Sequence, residues 1–242
     1  MDTIANNLAN IKTTGFKSSR ITFQDMLYSV LASPGAASGQ AEVPAGIQVG
    51  HGTRVSEVSK QFTQGALEHT GGILDIALEG PGFFEIVLPD GTSAYTRDGS
   101  FRANGSGEVV TSDGYKVAGF DTIDAGTTEV TIAADGSFSL VVGGSPVAKT
   151  KITLTRFANP AGLRSIGRNL YTATEASGAA ETGLNPGENG MGTLAHRHLE
   201  SSTVDAATEL VNMITTQRAY EATSKAIKAA DEMLGMANGL RR

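Results

Sequence analysis

The sequence has 242 residues, of which 40% are hydrophobic and 6% aromatic, with 30 Gly and neither Cys nor Trp. The lack of Cys excludes a disulfide framework and a thiol nucleophile. The formal net charge of −6 argues against nucleic acid as a partner, because nucleic-acid binding depends on basic patches. The sequence shows no run of about 18 apolar residues and no secretory signal pattern, so we expect a protein that is not membrane-embedded.

The first residues are compatible with a short helix that ends near Asn10 and is followed by TTG at 13–15. Its apolar residues Ile4, Leu8 and Ile11 form a narrow stripe. Isolated helices shorter than about 12 to 15 residues are only marginally stable in water, so the sequence predicts that this helix packs against another helix.

Residues 33–39 (SPGAASG) form a low-complexity segment. Clusters of Pro, Gly and Ser are typical of turns and flexible loops, and the composition by itself predicts a loop here.

The middle of the chain predicts β-hairpins. Short strand-like runs alternate with four Asp-Gly pairs at 90–91, 98–99, 113–114 and 135–136, and Asp-Gly suits turns that need positive φ. Residues 82–88 are predicted to pair with residues 92–97. Further strands are predicted at 108–111, 115–120, 128–133, 137–142 and 150–157. These strands predict an antiparallel sandwich or barrel-like domain over roughly residues 71–150.

The C-terminal stretch predicts a long amphipathic helix. No Gly or Pro occurs from Ser202 until Gly235, and Ser202 followed by Asp205 resembles a capping box. Apolar residues recur every seven positions, at Ala206, Met213, Tyr220, Ile227 and Leu234. The alternate heptad positions are Leu210, Gln217, Ser224 and Asp231. A second stripe of Val204, Ala207, Val211 and Ile214 widens the apolar face in the first half. Such a helix either docks on its own core or packs against several neighbours in an assembly, and the short N-terminal helix favours assembly.

Catalytic and metal motifs are weak. The sequence has no Gly-x-Ser-x-Gly elbow, no phosphate loop and no His-Glu-x-x-His. His196 and His198 could share one strand face, but a metal site needs a third ligand, and the other histidines are distant in sequence. Glu85 and Asp98 could form a carboxylate pair, although nothing singles them out. We therefore predict no enzyme activity, no cofactor and no metal.

Short motifs at both ends resemble those of the flagellar rod and hook family of axial proteins. The N-terminal motifs are NNLAN at 6–10 and TTGFK at 13–17, and the C-terminal motif is LVNMITTQRAYE at 210–221. GFF at 82–84, YTRDGSF at 95–101 and TSDGY at 111–115 resemble motifs shared across the family. FQDMLY at 23–28, PAGIQVG at 44–50 and NPGENG at 185–190 are most similar to the distal rod members.

The resemblance implies a structural subunit that assembles with itself into a rigid tube, the distal rod, and transmits torque from motor to hook. The implied partners are other copies of the chain, proximal rod and hook subunits, the surrounding ring proteins and the flagellar export apparatus. The implied location is the basal body, where the rod spans the periplasm to the outer membrane. Family members carry further helix before the NNLAN motif, whereas this sequence opens only five residues before Asn6. We therefore expect either that the true start lies upstream of Met1 or that an N-terminal helical segment, the partner of the C-terminal helix, is missing.

Alternatives from the same family are a proximal rod or hook protein. Outside it, a β-rich glycan-binding module would require aromatic clusters, and a cell-wall enzyme would require paired carboxylates in a cleft.

The fold class expected from these observations is mainly β with terminal α-helices, with an antiparallel β domain inserted between helical segments that pack together in a tubular assembly. The predicted division is an assembly segment at 1–27, an extended rod-specific connecting layer at 28–70, an outer β domain at 71–150, a returning layer at 151–201 and an assembly helix at 202–242. The predicted assembly residues are Asn6, Asn7, Leu8, Asn10, Leu210, Val211, Met213, Ile214, Tyr220, Ile227 and Leu234.

Overall fold

The computed structural model describes residues 1–33, 37–38, 41–42 and 45–239. Most of the loop predicted at 33–39 therefore lies outside the described residues. The chain divides into two units, one of which is Ser19–Lys60 and the other Met1–Ser18 together with Gln61–Arg242. Among the described helices, none combines the length and the apolar character that crossing a membrane requires.

The smaller unit is a set of nested antiparallel strand pairs. The strands are β1 (Ser19–Asp25), β2 (Tyr28–Ala32), β3 (Ala37–Ser38), β4 (Ala41–Glu42), β5 (Ile47–Gly50) and β6 (Thr53–Lys60). β1 pairs with β6, β2 with β5 and β3 with β4. Because a two-stranded ribbon has no second layer to cover it, most of its apolar side chains remain exposed.

The larger unit begins with α1 (Asp2–Ala9), ends with α2 (Ala206–Gly239) and carries the β domain between them. Its strands are β7 (Leu67–His69), β8 (Ile76–Glu79), β9 (Phe84–Val87), β10 (Ser93–Thr96), β11 (Arg102–Ala103), β12 (Val109–Val110), β13 (Lys116–Val117), β14 (Thr127–Ile132), β15 (Phe138–Val142), β16 (Ser145–Ala148), β17 (Leu154–Arg156), β18 (Arg164–Gly167), β19 (Leu170–Thr172), β20 (Glu181–Leu184), β21 (Thr193–His196) and β22 (His198–Glu200). The prediction of a mainly β protein with terminal helices is confirmed.

A seven-stranded sheet in the order β11-β12-β13-β9-β10-β19-β18 forms the main layer. A three-stranded sheet of β14, β15 and β16 accompanies it, and β7 pairs with β22, β8 with β21 and β17 with β20. The main core includes Phe84, Ile86, Phe138 and Leu140, all almost fully buried. A second cluster is mainly aromatic and consists of Phe83, Tyr95, Phe157, Leu163 and Tyr171.

The predicted hairpin is confirmed, since β9 and β10 pair antiparallel from Val87 opposite Ser93 to Phe84 opposite Thr96. The further strands lie within one to four residues of their predicted bounds. The expectation for Asp98-Gly99 was wrong: a Cβ on Gly99 would lie 1.6 Å from the Ile76 carbonyl oxygen, and its φ is outside the positive region. Gly99 is therefore needed for close backbone approach, not for turn conformation.

The main sheet extends past residue 150. β19 pairs with β10, and β18 pairs with β19, so residues 164–172 supply two of the seven strands. Alternating polarity and turn residues predict the pairing of strands that follow each other in sequence. The pairing of a strand from much later in the chain depends on tertiary packing.

Candidate assembly interface

The long helix α2 begins at Ala206, and Asp205 caps it. The Asp205 carboxylate accepts hydrogen bonds from the backbone N–H groups of Ala207 and Thr208, each at 3.2 Å, and from the Thr208 hydroxyl. These bonds, first that of the Thr208 hydroxyl, lower the pKa of Asp205. The predicted capping box at Ser202 was wrong, because the Ser202 hydroxyl instead accepts a bond from Val204 N–H at 3.3 Å, ahead of the helix.

The short helix α1 packs against the first turns of α2. Asn7 is 2% exposed, and its side-chain amide donates to Glu209 Oε1 at 2.8 Å. The half-buried positions of α2 in this region are Ala206, Glu209, Met213 and Thr216. Ala206 and Met213 belong to the predicted stripe, but the alternate positions are Glu209 and Thr216, not Leu210 and Gln217. At Glu209 a polar contact with α1 therefore takes the place of the apolar contact predicted for Leu210.

The other predicted assembly residues are divided between the two helices. On α1, Asn6 is exposed while Leu8 and Asn10 are half-buried, and the Asn10 amide donates to the Asn6 carbonyl at 2.9 Å. On α2, six predicted residues are exposed: Leu210, Val211, Ile214, Tyr220, Ile227 and Leu234. Tyr220 is 75% exposed and Val211 57% exposed. Leu210, Val211 and Ile214 lie on one side of the first half of α2, and Tyr220, Ile227 and Leu234 lie on another side further along. The exposed apolar surface of these six residues is called the α2 face below.

The TTGFK motif forms contacts within the chain. Gly15 has φ +66°, and a Cβ there would lie 2.8 Å from the Asp98 nitrogen. The Gly15 N–H donates to the Glu200 carbonyl at 2.7 Å. The Asn169 side-chain amide donates to the Thr14 carbonyl at 3.0 Å and to Asp98 Oδ2 at 3.2 Å. The motif thus lies directly on the RDG turn of the β domain.

A buried ion cluster lies beneath this motif. The side chains of Lys17 and Glu200 are 0% exposed, and Lys17 Nζ donates to Glu200 Oε1 at 2.6 Å. Arg97 Nε donates to Glu200 Oε2 at 3.2 Å, and Gly65 N–H donates to Oε1 at 2.7 Å. Burial, followed by the nearby positive charge of Arg97, lowers the pKa of Lys17.

Further acceptors surround the two cations. Lys17 Nζ also donates to the Thr63 carbonyl at 2.6 Å. Arg97 Nη1 donates to the carbonyls of Gly80 and Gly82 at 2.7 and 2.8 Å. Throughout the described residues, buried side-chain nitrogen and oxygen atoms all have hydrogen-bond partners. This cluster was not predicted from the sequence: Lys17 and Arg97 lie inside recognised motifs, but local pattern does not indicate which charges become buried.

The residues considered for chemistry have structural contacts. Glu85 accepts from the Ser93 hydroxyl at 2.6 Å, and Asp98 Oδ1 accepts from Ser100 N–H at 3.0 Å. His196 and His198 lie on different strands, because Arg197 between them has φ +58°. The expectation that they share one strand face was therefore wrong.

His69, which is distant in sequence, lies opposite His198, with ring centroids 4.9 Å apart. Within the part of the chain that the structure describes, no group of three or more His, Asp or Glu side chains could hold a metal.

Comparisons with known proteins match three parts of the chain. Residues 77–140 match the family described as flagellar hook protein FlgE/F/G D1 domain. Residues 195–240 match the flagellar basal body rod FlgEFG protein C-terminal family, and residues 1–17 match the flagella basal body rod protein family.

Over nearly their whole length, proteins named flagellar basal-body rod protein FlgG are similar to this chain. The protein of Borreliella burgdorferi is 45% identical over 100% of this chain and 93% of its own length. The proteins of Caulobacter vibrioides and Bacillus subtilis are 43% and 38% identical, with the same coverage of 100% and 93%.

Proposed function

The chain belongs to the FlgG family of flagellar basal-body rod proteins, and from this premise we propose that it is the subunit of the distal rod. As a structural rod protein it belongs to the flagellar basal body and assembles with itself and with other flagellar components. Family membership does not favour a proximal rod or hook protein, a glycan-binding module or a cell-wall enzyme.

In the proposed assembly, the subunits form a tube that passes torque from the motor to the hook and spans the periplasm to the outer membrane. Head-to-tail contacts that do not close into a ring produce a helical array. Proximal rod subunits, hook subunits and the surrounding ring proteins are the proposed neighbours, and the flagellar export apparatus is the proposed route of delivery.

The α2 face is the observation that carries this proposal. At 1.5 Å per residue, the 34 residues of α2 are about 51 Å long, whereas the 8 residues of α1 span only about 12 Å. Most helix stability in proteins comes from packing of an apolar face, so a helix of this length that exposes Tyr220, Ile227 and Leu234 requires other molecules as cover. We propose that the predicted α2 residues and the α1 residues Asn6, Asn7, Leu8 and Asn10 contribute to these contacts.

The smaller unit supports a second layer of contacts. Its large exposed side chains include Phe23, Leu27, Tyr28, Leu31 and Ile47, and Leu27 is 87% exposed. Extended apolar surface of this kind marks protein–protein contact. We propose that this unit, which overlaps the connecting layer predicted at 28–70, lies between neighbouring subunits and stiffens the tube.

Substitution of Ile214 by Asp tests the role of the α2 face. Ile214 is 49% exposed, so the variant chain should fold with an unchanged β domain. An uncompensated charge in an apolar subunit contact is costly, so rods should not form and the cells should be non-motile. The measurements are motility in soft agar and near-ultraviolet circular dichroism of the purified chain.

The matched control is Val147→Asp, which replaces a partly exposed apolar residue of β16 by the same charged residue. This variant should remain motile. A motile Ile214→Asp strain would contradict the assignment of the α2 face to subunit contacts, and a non-motile Val147→Asp strain would show that the effect is not specific to α2.

Electron microscopy of hook-basal bodies from a strain that lacks the gene tests the position in the rod. We expect a rod that stops short, with neither hook nor outer ring. A complete rod without a hook would assign the chain to the hook, and intact flagella would refute the structural role.

A further inference from the structure

Two segments connect the helices to the β domain: residues 10–18 after α1, called the N-terminal passage, and residues 200–205 before α2, called the C-terminal passage. These two passages run side by side. Besides the bond from Gly15 to Glu200, Thr203 N–H donates to the Phe16 carbonyl at 3.1 Å, and Ser18 N–H donates to the Thr203 hydroxyl at 2.9 Å. Residues near both ends of the chain, separated by about 185 positions, are therefore paired where they leave the helices.

The buried ion cluster joins these two passages to the β domain. Lys17 belongs to the N-terminal passage, Glu200 to the C-terminal passage and Arg97 to the turn after β10. Each oxygen of the Glu200 carboxylate has its own cation, so sliding one passage along the other would leave a buried charge unpaired. Leaving such a charge unpaired is strongly unfavourable.

We infer that Lys17, Arg97 and Glu200 are positioning residues for assembly: their cluster makes the two ends of the chain order together and fixes where α2 leaves the β domain. This inference rests on the proposed rod function. The cluster acts through α2, because it sets the point from which the α2 face is presented to neighbouring subunits. It is also the point at which force on the β domain would pass to the helices.

Lys17→Met tests the inference, because it removes one cation and leaves Arg97 and Gly65 N–H bonded to Glu200. Exchange of the Gly15 amide, which donates to Glu200, should become about tenfold faster or more. Exchange of the Phe83 amide, which donates to Thr155 inside the β domain, should not change. Motility should be lost.

The matched control is Lys151→Met, since Lys151 makes an exposed ion pair with Asp135 at 3.0 Å. It should change neither exchange rate nor motility. If Lys17→Met leaves exchange of the Gly15 amide unchanged, or accelerates exchange of the Phe83 amide to the same extent, the cluster does not order the two passages together and the inference is overturned. Loss of motility in Ile214→Asp with normal Gly15 exchange keeps this test separate from that of the rod function.

A second variant is available if Lys17→Met does not accumulate in cells. Asn169→Ala removes the hydrogen bonds to the Thr14 carbonyl and to Asp98 Oδ2, and it changes no member of the ion cluster. A selective but smaller acceleration of Gly15 exchange is expected. Unchanged Gly15 exchange in that variant would contradict a jointly ordered junction.

Discussion

Gly15→Ala should destabilise the packing of the TTGFK motif on the β domain by more than the strain of a positive φ alone. A left-handed conformation such as φ +66° costs an L-residue about 1–2 kcal/mol. The new Cβ would also lie 2.8 Å from the Asp98 nitrogen, 2.9 Å from the Arg97 carbonyl carbon and 3.0 Å from its oxygen. These are backbone atoms that cannot swing aside, and overpacking of this kind costs about 1–3 kcal/mol. The total expected destabilisation is about 2–5 kcal/mol.

Gly91→Ala is the matched control, because Gly91 has φ +81° and open space around its Cβ position. It should show the conformational cost of about 1–2 kcal/mol alone. The readouts are urea unfolding and exchange of the Thr203 amide, which donates to Phe16. Equal destabilisation by the two substitutions, or unchanged Thr203 exchange in Gly15→Ala, would refute the argument from close approach.

Three further predictions concern the β domain. Phe138→Ala should lower the free energy of unfolding by about 3–5 kcal/mol in urea titrations, because the ring is almost fully buried; a loss below 1 kcal/mol would contradict its place in the core. Bonds from Ser137 and then Lys151 lower the pKa of Asp135 to about 2. Since the folded pKa lies below the unfolded value of 3.8, this stabilising contribution is complete above pH 4 and lost as pH falls toward 2; carboxyl NMR titration should find it, and Asp135→Asn should flatten the acid dependence of stability. Burial raises the pKa of Tyr171 to about 12. In ultraviolet titration, Tyr171→Phe should therefore leave the number of tyrosines that ionise near pH 10 unchanged, and one fewer such tyrosine in the variant would contradict this pKa.

The sequence determined the elements that depend on local physics. Heptad spacing from Ala206 predicted α2, and the alternation and Asp-Gly turns around residues 82–97 predicted the β9–β10 hairpin in its observed pairing. Both signals depend on side-chain period and turn chemistry within a few residues, so they can be read without knowledge of distant contacts. The family was indicated separately, by the resemblance of the NNLAN, TTGFK and LVNMITTQRAYE motifs.

The tertiary structure decided which distant groups meet. Residues 164–172 join the main sheet beside β10, and Asn7 pairs with Glu209, although neither pairing has a local signal. The helix start also moved to Asp205, because the residues before it pair with the N-terminal passage instead of continuing the helix.

The clearest division between the two concerns Lys17, Arg97 and Glu200. In sequence they are three ordinary charged residues, and charged side chains usually remain in solvent. Their burial becomes tolerable only when a carboxylate, two cations and several carbonyl oxygens from separate segments come within hydrogen-bond distance. The sequence by itself therefore determined the helices, the hairpins and the family. The tertiary structure decided how the helices are connected to the β domain, because burial of these three charges depends on distant partners that local pattern cannot specify.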